Sequence, residues 1–493
     1  MPDYRVIENP NKEIGKDRKQ SSSLDLSSAL KTIEQSNAVH VLLVEVDFWK
    51  EGIPSLPEEY HLYDLLHLGL SLGGADSFKN IWFTSMNWLF LNPRSDRFST
   101  SWKATPHWCL LQPQQVRDLG GFDDTYNTAK ASLMDFAYRL LTSGGRVSHY
   151  PVAATNEVVL KIPFSDEINF IYRRINNKSA LYSAFWAGLK SLKIGRSIKA
   201  YVKARKKAEK SSPALNYSSI EIDSRLINTE ALQKVTSYSA VIPTIGRYEY
   251  VQKSIESLLS QHPAPDEIIV VDQTPVSDRN VNVYKKYDPE KVHVIFLDVA
   301  GQSISRNTAI EKIKSDWILL FEDDAVAWED MMKSHIKVVE HSLASASTGV
   351  SLAPWKDTSY IPEKRRHFQI SDVFSTGICL IKKDALESVN KLDLAYNHGS
   401  GADHDLGLRL FLDGHEIIYN PKAIHTHYKA PIGGLRTYGV HWRYTINWMS
   451  PYPQPTLIYT TQRFFPKKFW LPQYLLRYLS ANKKKFSFKL LWL

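Results

Sequence analysis

The chain has 493 residues, of which 43% are hydrophobic and 23% are charged, and its formal net charge is +9 at pH 7. This composition is ordinary for a soluble globular protein, and the length predicts two or three domains. Two cysteines, Cys109 and Cys379, provide no disulfide framework, so nothing points to an oxidising compartment.

The sequence shows no signal for export or for crossing a membrane. Residues 1–8 lack the apolar core of a signal peptide, and no run approaches the roughly 18 apolar residues of a membrane-spanning helix. We therefore expect a cytoplasmic protein, with peripheral attachment to the inner face of a membrane left open.

The positive charge is concentrated in two segments. Residues 171–210 hold twelve lysines and arginines against one glutamate, and residues 417–493 hold twelve against no acidic residue. The remainder of the chain is net negative. Such basic blocks favour an anionic partner, either a lipid surface or a nucleic acid, although a pair of solvated helices gives the same pattern.

Composition divides the chain into five segments. Residues 1–38 are polar and predict a loosely ordered arm. A domain rich in aromatic residues follows over 39–165, and then a basic helical linker over 166–235. Residues 236–430 form the most regular segment, and 431–493 form a basic, aromatic tail.

The regular segment alternates short apolar runs with amphipathic runs. The predicted strands are 239–243, 267–271, 292–297 and 317–321, and the predicted helices are 250–261, 303–315 and 328–341. This alternation indicates β-α-β units and an α/β fold with a mostly parallel sheet flanked by helices.

Polar residues stand at the carboxyl end of each predicted strand. They are Thr244, Asp272, Asp298 and the Glu322-Asp323-Asp324 group. Ligands of open α/β sheets bind in the crevice beyond those ends. Three adjacent carboxylates persist most easily beside a divalent cation, and oxygen ligands suit Mg²⁺ or Mn²⁺. The pattern predicts a nucleotide bridged to the sheet by a metal ion; for the acidic tripeptide alone, a solvated turn is the alternative.

Several short motifs follow one another within residues 238–430. They are 241–244 with Arg247, 268–272, 301–307, 322–324, 375–377, 403–406 with Arg409, and Pro421 with His425 and His427. By the order and spacing of these motifs, the segment resembles the inverting family 2 glycosyltransferases of GT-A fold. The resemblance implies a hexosyl- or deoxyhexosyltransferase of cell-envelope polysaccharide synthesis. Its donor would be a UDP- or dTDP-sugar, and its acceptor a glycan or a lipid-linked glycan.

The resemblance implies six nucleotide-binding residues. They are Pro243, Thr244, Arg247, Asp272, Arg306 and Asp323. The carboxylate of Asp272 can accept the imide N–H of uracil or thymine, and an arginine can pair with a diphosphate. A surface cation at a helix start is the alternative for Arg306.

The metal ligands implied by the resemblance are Glu322, Asp324 and His427. Glu322 stands where the family usually has aspartate, and His425 competes with His427 as the histidine ligand. A bound Mn²⁺ or Mg²⁺ would neutralise charge on the departing nucleoside diphosphate.

Asp403 matches the catalytic base of the family, which takes the acceptor proton as the hydroxyl oxygen attacks the anomeric carbon. The family usually has an acidic pair here, but Ala402 precedes Asp403 in this chain. Single displacement with inversion needs no covalent nucleophile. Asp405 and Arg409 are one helical turn apart, and we interpret them as a structural pair.

Part of the chain aligns with itself at a constant offset of 270 residues. Residues 108–157 align without a gap with 378–427, which places Cys109 on Cys379. Residues 42–47 align with 319–324 at an offset of 277. We therefore expect the N-terminal domain to be a truncated GT-A-like copy that keeps the acceptor-side half of the fold.

This copy lacks the site residues. Leu133 aligns with Asp403, Val46 with Asp323, and Thr155 and Glu157 with the two histidines. We expect a catalytically silent domain that serves acceptor binding, dimerisation or support of the active domain.

Three rival functions remain for the whole chain. One is a non-catalytic nucleotide-sugar-binding or scaffolding protein of a glycan assembly complex, and another is a nucleotidyltransferase with a similar metal site. The third is a basic nucleic-acid binder, but no nucleic-acid motif is visible and we expect no such partner.

Overall fold

The computed structural model describes residues 4–8, 24–45, 48–49, 53–74, 77–83, 88–152, 161–208, 230–371, 373–431 and 455–481. The chain forms two units, each with its own sheet. The first comprises Met1–Leu141, Val147–Ser219 and Ser450–Leu493, and the second comprises Thr142–Arg146 and Ile220–Met449.

The first unit is built on a mixed sheet. Its described strands are β1 (Tyr4–Glu8), β2 (Val41–Glu45), β3 (Leu65–His67), β4 (Ser99–Thr100), β5 (Trp108–Leu111) and β6 (Val147–His149). They lie in the order β1-β2-β5-β3-β6-β4. β3 pairs in parallel with β6, and the other neighbours are antiparallel. β5 is buried along its whole length, as expected of a short apolar run.

Within the described residues of 1–38, the structure differs from the loosely ordered arm that we predicted. β1 pairs with β2 at the edge of the sheet, and helix α1 (Leu26–Gln35) packs by one apolar face. The buried residues of that face are Leu26, Ala29, Leu30 and Ile33. The segment is polar on average, but these four residues recur at helical spacing, and spacing decides whether a helix can bury a face.

Five further helices complete the described first half of the chain. They are α2 (Pro113–Asp118), α3 (Ala129–Thr142), α4 (Phe164–Phe170), α5 (Asn177–Ser191) and α6 (Ile194–Ala208). A π-helical turn, Ile171–Ile175, continues α4 and carries two arginines of the first basic segment in buried ion pairs. Arg173 Nη2 is 2.8 Å from Asp123 Oδ2, and Arg174 Nε is 2.5 Å from Asp135 Oδ1. These two cations therefore hold the unit together and do not face an external partner.

The second unit is built on a larger sheet. Its described strands are β7 (Tyr238–Thr244), β8 (Glu267–Asp272), β9 (Val292–Phe296), β10 (Trp317–Phe321), β11 (Ala325–Ala327), β12 (Ala346–Leu352), β13 (Gln369–Ile370), β14 (Ile378–Lys382) and β15 (Ile417–His427). The order across the sheet is β11-β15-β12-β14-β10-β7-β8-β9, and β13 pairs with β15.

One half of this sheet is parallel and covered on both faces. β10, β7, β8 and β9 run in parallel. Helix α7 (Tyr248–Leu259) buries Val251 and Ile255 in one apolar layer, and α8 (Gln302–Ile310) buries Ala309 and Ile310 in the other. The predicted α/β arrangement is confirmed here.

The other half of the sheet is mixed. β14 pairs antiparallel with β10 and β12, whereas β12 pairs in parallel with β15. β11 pairs antiparallel with β15, so that Ala325 is opposite His427 and Ala327 is opposite His425. This register brings the late histidines beside the acidic group. The helices of this half are α9 (Met331–Ser342), α10 (Lys383–Ser388) and α11 (Ala402–Leu412).

The described part of the predicted C-terminal tail packs within the first unit. It forms α12 (Pro455–Phe464) and α13 (Trp470–Ala481). Phe469 is buried, with its ring centroid 4.9 Å from that of Phe83, and Phe465 lies 5.9 Å from Trp82. Aromatic side chains bury large areas, which explains why a segment that is basic on average joins a core.

Cys109 in β5 and Cys379 in β14, which the internal alignment places on one position, are both buried free thiols. Within the described residues, no helix combines the length and the apolar character needed to cross a membrane.

A buried ion pair anchors α11. Arg409 Nε donates to Asp405 Oδ2 at 2.8 Å, and Arg409 Nη1 donates to the carbonyl oxygens of Val389 and Lys391. The predicted structural pair is confirmed, and it ties α11 to the loop after α10.

We expect Arg409→Met to lower the free energy of unfolding by about 3 kcal/mol, because the Asp405 carboxylate and two carbonyl groups lose their donor. Urea denaturation followed by circular dichroism measures this. Lys333→Met is the control, since Lys333 belongs to an exposed pair with Asp330 and such pairs contribute about 0–1 kcal/mol. Equal effects of the two substitutions would contradict the structural role.

Candidate nucleotide and metal site

The Glu322-Asp323-Asp324 group follows β10 at the carboxyl edge of the parallel strands. Asp323 and Asp324 are buried, whereas the side chain of Glu322 is one-third exposed. Ser254 on α7 donates its hydroxyl to the carbonyl oxygens of Asp323 at 2.9 Å and of Ala325 at 2.6 Å. This helix therefore holds the backbone of the acidic turn in place.

Asp323 organises its neighbours with both carboxylate oxygens. Thr244 Oγ1 donates to Asp323 Oδ2 at 2.8 Å, and Arg247 Nη1 donates to Asp323 Oδ1 at 2.9 Å. Burial raises the pKa of Asp323 above its usual value, although the Arg247 charge opposes this rise. The predicted nucleotide-binding residues Thr244, Arg247 and Asp323 thus lie together, joined by their own hydrogen bonds.

Asp324 faces a histidine on β15. Its Oδ1 lies 3.2 Å from His427 Nε2, and its Oδ2 accepts the backbone N–H of Ala430 at 2.8 Å. Burial alone would raise the pKa of Asp324, but the His427 hydrogen bond and the Arg247 charge lower it overall. Glu322 Oε2 is 3.4 Å from the same His427 nitrogen. The three predicted metal ligands are therefore adjacent.

The histidines complete a set of donors that fits a divalent cation. One ligand atom each of Glu322, His425 and His427 lies within 4.8 Å of the others. His425 is buried, neither ring nitrogen has a hydrogen-bond partner in the described structure, and burial lowers its pKa to about 3. A neutral imidazole is the form that binds metals. Carboxylate oxygens with imidazole nitrogens suit Mn²⁺, so both histidines are candidates.

Arg306 is a buried cation at the edge of the same group, which excludes the alternative of a surface cation. It is 6% exposed, and its Nη1 donates to the carbonyl oxygen of Gln302 at 2.9 Å. Its Nε has no hydrogen-bond partner, and no carboxylate of the described residues lies within ion-pair distance. Burial lowers the pKa of Arg306, which the charges of Asp403 and Glu322 oppose. Such a guanidinium is suited to an anionic ligand.

Asp403, at the start of α11, is held by a residue to which the sequence assigned no role. Thr376 Oγ1 donates to Asp403 Oδ1 at 2.7 Å, and the Thr376 N–H donates to the same oxygen at 3.3 Å. At Gly377, a Cβ atom would lie 2.6 Å from the carboxyl carbon of Glu322. Segment 375–377 therefore separates the candidate base from the acidic group. The motif was visible in the sequence, but its contacts were not.

Asp272 is already surrounded by donors. Thr274 donates its N–H at 2.9 Å and its hydroxyl at 2.5 Å to Oδ1, while Tyr248 and Tyr284 donate their hydroxyls to Oδ2, each at 3.1 Å. Four donors use the roughly four lone pairs of a carboxylate. A base imide would have to replace one of them, and the two tyrosine bonds are the longest.

The remaining predicted positions diverge. Pro243 pairs with Val271 in the sheet, one residue before Thr244. The side chain of Asp298 is 80% exposed and pairs with Arg279. The strand end at Asp298 therefore lies outside the cluster, whereas the ends of β7, β8 and β10 converge as predicted.

Residues 239–389, less than a third of the chain, match the family model described as Glycosyl transferase family 2. Combined with the β-α-β arrangement, this match means that the α/β fold of the second unit is similar to that of GT-A glycosyltransferases, as the sequence predicted. The putative teichuronic acid biosynthesis glycosyltransferase TuaG of Bacillus subtilis (strain 168) is 29% identical over 118 residues, which cover 23% of this chain and 46% of that protein. The chain therefore spans about half the length of this relative.

Solved structures give weaker likenesses. S. aureus TarS 1–349 in complex with UDP-GlcNAc is 15% identical, with a TM-score of 0.38 over 52% of this chain and 76% of that chain. The mannosyltransferase PcManGT from Pyrobaculum calidifontis, in complex with GDP-Man and Mn²⁺, is 15% identical, with a TM-score of 0.35 over 54% of this chain and 81% of that chain.

We expect one nucleoside diphosphate out of UDP, dTDP and GDP to bind only with Mn²⁺, and Asp324→Ala to abolish that binding, because the carboxylate nearest to His427 is lost. CMP serves as the monophosphate comparison. Isothermal titration calorimetry with and without Mn²⁺ measures both effects. Asp330→Ala is the control, since Asp330 is an exposed carboxylate of the same unit. Binding that is independent of metal, or unchanged in the Asp324 variant, would contradict the metal site.

Proposed function

We propose that this chain transfers a sugar from a nucleoside-diphosphate sugar to a hydroxyl group of a glycan or lipid-linked acceptor, with inversion at the anomeric carbon. The match of residues 239–389 to family 2 glycosyl transferases supports the reaction class. The similarity to the putative teichuronic acid biosynthesis glycosyltransferase of Bacillus subtilis favours a cell-envelope polysaccharide as the acceptor. We propose a UDP- or dTDP-sugar as the donor.

The observation that carries this proposal is the unpaired buried charge of Arg306. Its free Nε and its distance from every described carboxylate leave it to bind an anion. A diphosphate supplies that anion. Arg247, which pairs with Asp323 and Asp324, would bind the second phosphate. Both guanidiniums would then stabilise the charge that builds up when the nucleoside diphosphate leaves.

The acidic group suggests a divalent cation as the cofactor. We assign its binding to Glu322, Asp324 and His427, with His425 adjacent. When bound, Mn²⁺ or Mg²⁺ supplies Lewis-acid stabilisation of the diphosphate.

Asp403 is the proposed base. Thr376 holds its Oδ1 and leaves Oδ2 to take the acceptor proton. As that proton moves, the acceptor oxygen forms a bond to the anomeric carbon, and the bond from that carbon to the diphosphate oxygen breaks with its electron pair. One displacement of this kind inverts the anomeric centre and needs no covalent intermediate.

We further propose that the first unit is a truncated copy of the acceptor-side half of the second. In strand pairing, β2, β3, β4, β5 and β6 correspond to β10, β12, β13, β14 and β15. Leu43 is opposite Cys109 just as Leu320 is opposite Cys379, and the offsets of 277 and 270 both follow from that pairing. At the edge of β2, the single antiparallel strand β1 stands where the second unit has the parallel strands β7, β8 and β9.

Hydrogen bonds support the same correspondence. Arg139 Nε donates to Asp135 Oδ2 at 2.9 Å, and its guanidinium also donates to the carbonyl oxygens of Leu119 and Gly121. Every partner lies 270 residues before the matching partner of Arg409. This set of matching contacts supports a copy over a chance sequence match.

The proposed copy has lost the base and the diphosphate-binding arginine, although Glu45 and Asp47 align with Glu322 and Asp324. Position 107, which aligns with Gly377, holds a histidine whose Nδ1 lies 2.5 Å from the carboxylate of Glu45. Phe48 stacks on His107 with ring centroids 4.7 Å apart. Ala29 aligns with Arg306, and Leu133 with Asp403. The aligned positions thus offer neither a diphosphate ligand nor a base; residues 46–47 and 153–160 lie outside the described residues.

We expect Asp403→Asn in the full chain to lower the turnover number of sugar transfer by about 10²- to 10⁴-fold, because the base is lost while the nucleotide site is intact. Mass spectrometry of products formed from the donor and a panel of glycan and lipid-linked acceptors measures this. Asp384→Asn, an exposed position on α10, is the control.

Two results would count against these proposals. Activity of Asp403→Asn above about a tenth of the wild-type value would place a working base elsewhere, the first unit included. Release of pyrophosphate instead of a nucleoside diphosphate would indicate a nucleotidyltransferase.

We expect Thr376→Val to lower the turnover number by about 10-fold or more. Valine has nearly the shape of threonine but no hydroxyl group, so Asp403 loses this hydrogen-bond donor. The Michaelis constant for the donor should stay near the wild-type value, and Thr376→Ser should restore turnover since it restores the hydroxyl group. Steady-state kinetics of the three proteins provides the measurement. If valine and serine behave alike, the hydroxyl group does not position the base.

A further inference from the structure

Helix α5 of the first unit exposes its large apolar side chains and buries its small ones. Leu181, Phe185 and Leu189 are 43%, 46% and 43% exposed, and their spacing of four residues places them on one face. The opposite, buried face consists of Ser179, Ala180, Ser183, Ala184, Ala187 and Gly188. An ordinary surface helix shows the reverse arrangement.

Close contacts keep α5 in this orientation. A Cβ atom at Gly188 would lie 2.9 Å from Ile194 Cα and 3.1 Å from Ser197 Cβ, so only a residue without a side chain fits against α6. Ser183 Oγ donates to the carbonyl oxygen of Asn80 at 2.9 Å. The helix therefore cannot rotate to bury Leu181, Phe185 and Leu189.

The exposed apolar face continues beyond α5. Leu192, in the left-handed conformation at the end of the helix, is 89% exposed, and Ile194 at the start of α6 is 45% exposed. Tyr182 donates its hydroxyl to the carbonyl oxygen of Pro472 at 2.7 Å, which brings the start of α13 beside α5. Leu471, next to that proline, is 58% exposed. We call Leu181, Phe185, Leu189, Leu192, Ile194 and Leu471 the α5 face.

Exposed cations lie on and beside these helices. They are Lys178 and Lys190 on α5, Lys193 between α5 and α6, Arg196 on α6, and Lys467 and Lys468 just before α13. The sequence has no aspartate or glutamate between residues 178 and 208 or between 455 and 481. Arg173 and Arg174 are neutralised inside the unit, whereas these outward-facing cations are available to a partner.

We propose that the α5 face docks the first unit on an anionic lipid surface, with α5 lying in the plane of the headgroups. Exposed leucine and phenylalanine side chains enter the boundary between headgroups and acyl chains, and the surrounding ammonium and guanidinium groups pair with lipid phosphates. A second copy would bring like charges together, and a nucleic acid would gain nothing from the outward leucines. The proposal concerns a surface of the first unit and does not rest on the proposed transfer reaction.

The test uses the full chain and sedimentation with two kinds of vesicle. One is pure phosphatidylcholine, and the other replaces a third of it with phosphatidylglycerol. We expect binding to the anionic vesicles only. The triple variant Leu181→Ser, Phe185→Ser, Leu189→Ser should weaken that binding by about tenfold or more, and Lys178→Gln with Lys190→Gln and Lys193→Gln should weaken it most at low salt.

A matched control replaces exposed apolar residues of the second unit. The control combines Val276→Ser, Val281→Ser and Val299→Ser, whose native side chains are 71%, 48% and 61% exposed. This variant should leave vesicle binding unchanged. Circular dichroism should show that the α5 triple variant still folds, although its thermal midpoint falls because three half-buried apolar side chains are lost from the helix.

Three outcomes would overturn the proposal. They are equal binding to neutral and anionic vesicles, no binding of the native chain to either, and a dimer in solution that the α5 triple variant dissociates. Calorimetric nucleotide binding, measured in parallel, separates a failure here from a failure of the proposed transfer reaction.

Discussion

The structure of the second unit depends on how it compensates three consecutive carboxylates at the end of a fully buried strand. They follow the carboxyl end of the central strand β10, and neighbouring elements supply their hydrogen-bond donors. Asp323 accepts hydrogen bonds from Thr244 and Arg247. Asp324 accepts one from the Ala430 N–H and faces His427. The negative charge is not fully neutralised. A carboxylate oxygen of Glu322 and a ring nitrogen of the buried His425 are placed where they could bind a metal ion. This arrangement fits the divalent cation that we propose.

Two carboxylates on α11, two residues apart, illustrate the separation of structural and chemical tasks. Asp405 is buried in an ion pair that fixes the helix, whereas Asp403 is half-buried and held by Thr376 through one oxygen. Only the structural device recurs in the first unit, as Asp135 with Arg139. If that unit is a copy, its fold was kept because the buried pair supports it. On the same premise, the proposed base was lost where the buried Leu133 now stands.

The first unit also shows that a helix can be fixed by its small residues. Gly188 admits α6 at a distance that no side chain would tolerate, and this close packing turns Leu181, Phe185 and Leu189 outward. Composition alone described this segment as basic. Its arrangement makes it an apolar face surrounded by cations, which is the chemistry of a lipid interface.

The sequence by itself determined the α/β class, most strands and helices of residues 238–342, the Asp405–Arg409 pair and the convergence of the acidic group with Thr244. These depend on local periodicity and on the rule that parallel strands end together. The sequence interpretation failed at residues 4–8, which pair with β2, and at residues 24–35, where average polarity concealed the apolar face of α1. Only the tertiary structure decided that Thr376 holds Asp403, that Arg306 is buried without a carboxylate, that Asp272 has four donors, and that Asp298 lies outside the cluster. Such facts depend on side chains from distant segments meeting in space, and neither spacing nor composition encodes that.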